Sequence, residues 1–180
     1  MGELKSAWEI AQEKANKLGK LSAEEEQGER EQRCEETGKA IAQRYLDSSE
    51  GENIELNNYP KEERELIRQA ILKHLVEAMN LKNLALLERA VQGVAEIEPE
   101  VKPSSEQISQ VAQEYREAEG RKRREMESKE RETLHQLRIS GSAISHINIE
   151  AKQEWQQSLQ QLVQPFQERL DALKGGLCQT

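Results

Sequence analysis

The sequence predicts an all-α protein: a helical bundle with extended, coiled-coil-like helices and a C-terminal helical hairpin. Three observations predict it. Good helix formers (Ala, Leu, Glu, Gln, Lys and Arg) dominate the chain. The aromatic residues are only Trp8, Tyr45, Tyr59, Tyr115, Trp155 and Phe166, too few to fill a sheet or sandwich core. Apolar residues recur at steps of three and four, the spacing that lines one face of a helix. With 180 residues the chain fits one structural domain, and with 33% charged residues much of its helix surface must stay in water.

In residues 1–47, Leu4, Ala7, Trp8, Ala11, Ala15 and Leu18 form an apolar stripe, so a short amphipathic helix is expected, ended by Gly19. Ser22 followed by Glu25 matches the capping box, in which hydroxyl and carboxylate each satisfy a free amide at a helix start. A second helix should begin there. From Ala23 to Gly38 it carries almost nothing apolar except Cys34, which predicts a solvated arm, and Ala40 to Leu46 should dock its far end. Residues 48–60 gather Ser, Gly, Asn and Pro and predict a linker.

Residues 61–97 are apolar on more than one face, as in a central, buried helix. The phase of the stripe slips at Asn80 to Asn83, leaving open one long helix or two. Pro99 and Pro103 bracket a break, and Ser104 with Gln107 repeats the capping-box pattern, so residues 104–174 should open with a helix from about Ser105 toward Leu137. Ile108, Val111, Ala112 and Tyr115 bury its first turns. After Ala118 it is laced with alternating charges, with Met126 as its one strong apolar residue up to Thr133. Ser140 to Ala143, followed by β-branched Ile, should turn the chain.

The last helix carries Trp155, Leu159, Leu162, Phe166, Leu170 and Leu173, a heptad-like stripe that Pro165 should kink or split and that Gly175 and Gly176 should end. Folding it back on the preceding helix would set Trp155 near Thr133 or Leu134, and Leu162 near Met126. Beyond that the facing helix offers mostly charge. The rest of the stripe therefore requires another surface, either the helix around Leu72 to Val94 or a second copy of the chain. Trp155, Leu159, Leu162, Phe166 and Leu170, with Met126 as a facing residue, are the candidate protein-contact residues, and helix-mediated association with itself or with another protein is the expected function. Filling of the monomer core is the competing reading of the same residues.

Chemistry leaves few marks. No catalytic residue, cofactor-binding residue or metal ligand set is expected: there is no phosphate-cradling glycine loop, nucleophile elbow or zinc spacing, and His74, His135 and His146 form no ligand pattern. His135 and His146 could meet across the turn at Gly141, but two ligands make a poor metal site. Met1, Gly2 and Ser6 match the N-myristoylation pattern, which Glu3 beside the acceptor disfavours.

Arg121, Lys122, Arg123 and Arg124 are the one feature that suggests a nucleic-acid accessory role. Residues 116–132 hold seven Lys or Arg against six Glu, and the whole chain carries a net charge of -8, so a solvated helix face is the plainer reading and nucleic acid is not the expected partner. No stretch is apolar enough to cross a membrane, and no small-molecule ligand is indicated. Cys34 and Cys178 lie far apart with no secretory signal before them, which points to a reduced, cytoplasmic setting.

Met1 to Leu18, and the Ser140 to Trp155 block with Gly141, Ser142, Ala143, Asn148 and Trp155, resemble segments of small uncharacterised all-helical bacterial proteins. The resemblance spans roughly a fifth of the chain. It implies a bacterial cytosolic origin and carries over no function, catalytic residue or binding residue.

Overall fold

The computed structural model describes residues 22–48, 53–139 and 147–177. They form five α-helices, α1 (Ala23–Asp47), α2 (Lys61–Ala78), α3 (Leu84–Ile97), α4 (Lys102–Gln136) and α5 (Gln153–Leu177), with a 3₁₀ turn at Pro99–Val101 and no strand among the described residues. The all-α reading therefore holds. The expected helix in residues 3–18, the Gly2 pattern and the turn at Ser140 to Ala143 lie outside the described residues.

The Ser22 capping box opens α1 as its spacing requires. Ser22 N donates to Glu25 Oε2 at 2.8 Å and Glu25 N donates to Ser22 Oγ at 3.2 Å. Residues 22–33 are exposed throughout, and burial begins at Cys34 and continues through Ile41, Ala42, Tyr45 and Leu46. Cys34 is a free, buried thiol, pushed up from its ordinary range first by desolvation and then by the Glu63 carboxylate.

Two facing pairs keep one offset between α1 and α2. Arg30 reaches Glu62 at 3.9 Å, and Gly38 lies against Ala70, so the two helices run parallel. A parallel pair needs a long return, and the chain between Asp47 and Lys61 supplies it. Its described part is pinned on the way: Ile54 N donates to Glu96, Arg64 donates to the Tyr59 and Asn57 carbonyls, and Ile54, Leu56 and Tyr59 pack on the core.

The phase slip at Asn80 to Asn83 is a true break. Asn80 Oδ1 accepts from the Lys82 and Asn83 amides, each at 3.1 Å, and Asn83 Oδ1 caps α3 by accepting from Leu86 N at 3.1 Å. Met79 and Leu81 within the break are buried, which anchors the corner in the core. From there α3 runs back along α2, with Arg68 bonded to Glu98 at 3.0 Å.

Three local expectations are corrected. Helix α4 begins at Lys102 rather than Ser105, with no side-chain cap, because the 3₁₀ turn at Pro99–Val101 leads directly into it and Pro103 sits in the first turn, where a missing amide costs nothing. Ser104 and Gln107 therefore have no cap to form. Of the two effects expected of Pro165, the split does not occur: α5 is continuous through it. Pro165 and Gln161, whose carbonyl loses its helical donor, both lie on the exposed face, where water can serve that carbonyl. Nor do Gly175 and Gly176 end the helix. It runs on to Leu177, whose side chain joins the main core and holds the last turn.

The main core joins all five helices around fully buried Ile71, Leu75, Leu87, Ile108 and Leu170. A second, smaller cluster of Met126, Ile149 and Trp155 lies along the hairpin of α4 and α5.

Candidate functional surface on the helical hairpin

Helices α4 and α5 are antiparallel in one constant register. Arg169 bonds Glu114 at 2.7 Å, the Tyr115 and Phe166 rings meet edge to face at 5.6 Å, Met126 meets Trp155, and Lys152 pairs with Glu130. The hairpin is the expected one but its register is not. Trp155 sits against Met126 rather than Thr133 or Leu134, and Leu162 packs on the main core instead of on Met126. The displacement is about two helical turns, which returns the same faces to one another, so periodicity alone did not distinguish the registers.

This register settles where the candidate contact residues lie. Leu170 is completely buried in the main core, with Leu162, Phe166 and Leu173 packed against it, and Lys174 Nζ donates to the Met79 carbonyl at 3.0 Å. Trp155 and Met126 are buried in the small cluster, and Leu159 packs against both clusters. The chain's own core thus covers Leu170, toward the C-terminal end of the stripe, and leaves the middle of the stripe only partly buried. Trp155, Leu170 and Met126 are buried within the chain, whereas Leu159, Leu162 and Phe166 are partly buried.

The basic run does not form a patch. Four successive helix positions point in four directions around the axis. Arg121 reaches Glu117 at 3.9 Å, Lys122 bonds Glu125 at 3.2 Å, and Arg123 bonds Glu150 at 2.5 Å, while Arg124 is exposed. Arg123 also lies over the Trp155 ring, 5.8 Å from its centroid.

The end of α4 lies near Leu137 as expected, but the exposure of the residues around it was not legible in the sequence. Leu137 and Ile139 are the exposed large hydrophobic residues among those described, at 65% and 42%. They flank Arg138, which adopts a left-handed conformation with φ 58°. Arg138 N donates to the His135 carbonyl at 3.0 Å and Ile139 N donates to the Leu134 carbonyl at 3.0 Å, the paired bonds of a Schellman motif. The left-handed residue of that motif is usually Gly, and an arginine in its place removed the signal by which the motif is recognised in a sequence.

Comparison with protein-family models, curated proteins and solved structures finds no match.

Among the described residues no group of three or more His, Cys, Asp or Glu converges to hold a metal ion, and no helix is long and apolar enough to cross a membrane. His74 Nδ1 faces Glu77 Oε2 at 3.3 Å and its Nε2 is buried without a partner. His135 is exposed on α4, and His146 and Cys178 lie outside the described residues. Ser105, whose Oγ is buried without a hydrogen bond, lines an open groove between α3 and α4.

Proposed function

We propose that this chain is a non-enzymatic, cytoplasmic protein that acts by helix-mediated association, with a second copy or with another protein, and that the end of the α4 and α5 hairpin is its contact element. The observation that carries this reading is the exposure of Leu137 and Ile139 at the end of the longest helix. Large apolar side chains elsewhere among the described residues are at least partly covered by the chain's own packing. Exposed apolar residues suit a partner's apolar groove, because their burial there removes them from water. The basic run at 121–124 does not support the nucleic-acid alternative equally well, since Arg121, Lys122 and Arg123 already have carboxylate partners within the chain.

The test is light scattering across a concentration series, with circular dichroism on the same samples, for the natural chain and for Leu137→Ser/Ile139→Ser. Self-association predicts a mass above 20.6 kDa that falls on dilution and in the variant, with helicity unchanged. A monomer at every concentration removes the second copy as partner. A photo-crosslinker placed at position 137 in cells must then trap a defined protein that the same probe at exposed Gln160 does not, and equal trapping at both positions overturns the reading.

A further inference from the structure

The distal half of the hairpin is packed apart from the rest of the molecule. Along α4 from Glu119 to Gln136 the only buried residue is Met126. It meets Ile149 and Trp155 in a cluster separate from the main core, and Leu159 marks the boundary by touching both. Two ion pairs bracket the cluster, Arg123 with Glu150 at 2.5 Å and Lys152 with Glu130. Arg123 does two things at once: its guanidinium lies over the Trp155 ring, 5.8 Å from the centroid, while one of its terminal nitrogens donates to Glu150 Oε1. One side chain of α4 therefore ties down both the approach to α5 and the first turn of α5.

We infer that this distal half opens as a unit of its own, latched by Arg123, and that opening bares Met126, Ile149 and Trp155 while the main core stays packed. The physical reason is the small number of contacts that must be given up. The backbone hydrogen bonds of α4 lie within the helix and survive opening, whereas the first turns of α5, once freed from α4, fray and lose theirs; partly exposed ion pairs and a single cation–π contact are individually weak, and regions with few buried apolar contacts open before the core does. The face so bared is a tryptophan beside a methionine and an isoleucine, which a helical partner could cover. That consequence rests on the proposed function. The opening itself does not, and it is measured without any partner.

The experiment is hydrogen exchange by mass spectrometry on the full chain, comparing the natural protein with Arg123→Ala, Arg123→Lys and Arg116→Ala. Arg116 pairs with Glu88 at 2.8 Å across α3 and α4 and serves as the control. Arg123→Ala is expected to speed exchange across residues 153–162 by about tenfold, with a smaller effect for Arg123→Lys, which keeps the charge but loses the planar guanidinium. Arg116→Ala should leave that segment unchanged, and residues 66–94 should be unaffected in all three. Salt at about 1 M, where the screening length is about 3 Å, should reproduce part of the acceleration. In a Trp8→Phe background, quenching of Trp155 fluorescence by acrylamide should rise in Arg123→Ala. Unchanged exchange at 153–162, or equal acceleration at 66–94, overturns the inference, because the molecule is then one cooperative unit.

Discussion

Gly38 of α1 lies so close to Ala70 of α2 that a β-carbon built on it would come within 2.5 Å of the Ala70 methyl and 2.9 Å of the Ile67 carbonyl oxygen. The parallel pairing of the two helices depends on this contact. Gly38→Ala should therefore destabilise the fold by about 1–3 kcal/mol, the usual range for overpacking, although alanine is the better helix former. Gly28, in the exposed half of the same helix, would meet nothing within 4 Å, so Gly28→Ala should stabilise by about 0.5–1 kcal/mol. Urea midpoints measure both, and the same sign for the two substitutions would refute the close crossing.

Arg138 holds a backbone conformation that carries a steric penalty of about 1–2 kcal/mol for any residue with a β-carbon. Glycine removes it. Arg138→Gly should raise stability by about 1 kcal/mol, after the loss glycine takes in the unfolded chain. Thermal unfolding followed by circular dichroism checks the direction, and a fall in stability would mean that the arginine side chain makes up for the strain.

Leu170 and Trp155 belong to the same stripe but to different clusters, so truncating them should act differently. Leu170→Ala opens a cavity in the main core and should cost about 2–5 kcal/mol of global stability. Trp155→Ala removes more surface, yet it should mainly loosen the distal hairpin, with a smaller shift of the main urea transition. A larger global loss for Trp155→Ala than for Leu170→Ala would show that the small cluster supports the whole molecule.

The Glu114 carboxyl is held below its ordinary range, first by its hydrogen bond to Arg169 and then by that to Gln110. A carboxyl with a lowered folded-state value stabilises the fold above its ordinary value, and that contribution is lost as the pH falls through the lowered one. Glu114→Gln should thus be less stable than the natural chain near neutrality, and the gap should close between about pH 5 and pH 3. Urea midpoints across that range test it, and a constant gap would separate the effect from titration of Glu114.

Much of the helix plan was readable because its signals are local. Ser22 and Glu25 needed only each other to mark the start of α1, whereas the phase slip at Asn80 to Asn83 left one helix or two open, and the bonds of their side chains to nearby amides make it a corner. The candidate contact residues were readable only as a stripe. Whether Trp155 and Leu170 face solvent or core depends on which helices lie beside them, and no local signal carries that. The helix end near Leu137 was legible, but the exposure of Leu137 and Ile139 was not, because it depends on whether another element covers them.

By itself the sequence determined the helical class, the capped start of α1, a phase slip at Asn80 to Asn83 and the apolar stripe of α5, since capping, turn chemistry and periodicity act within a few residues. The tertiary structure alone decided the parallel pairing of α1 with α2, the hairpin register that seats Trp155 on Met126, and the continuity of α5 through Pro165. Each of these is a choice among arrangements that bury the same faces. What separates them is long-range: the close approach of Gly38 to Ala70, the pairing of Glu114 with Arg169, and the side of the helix on which water is available.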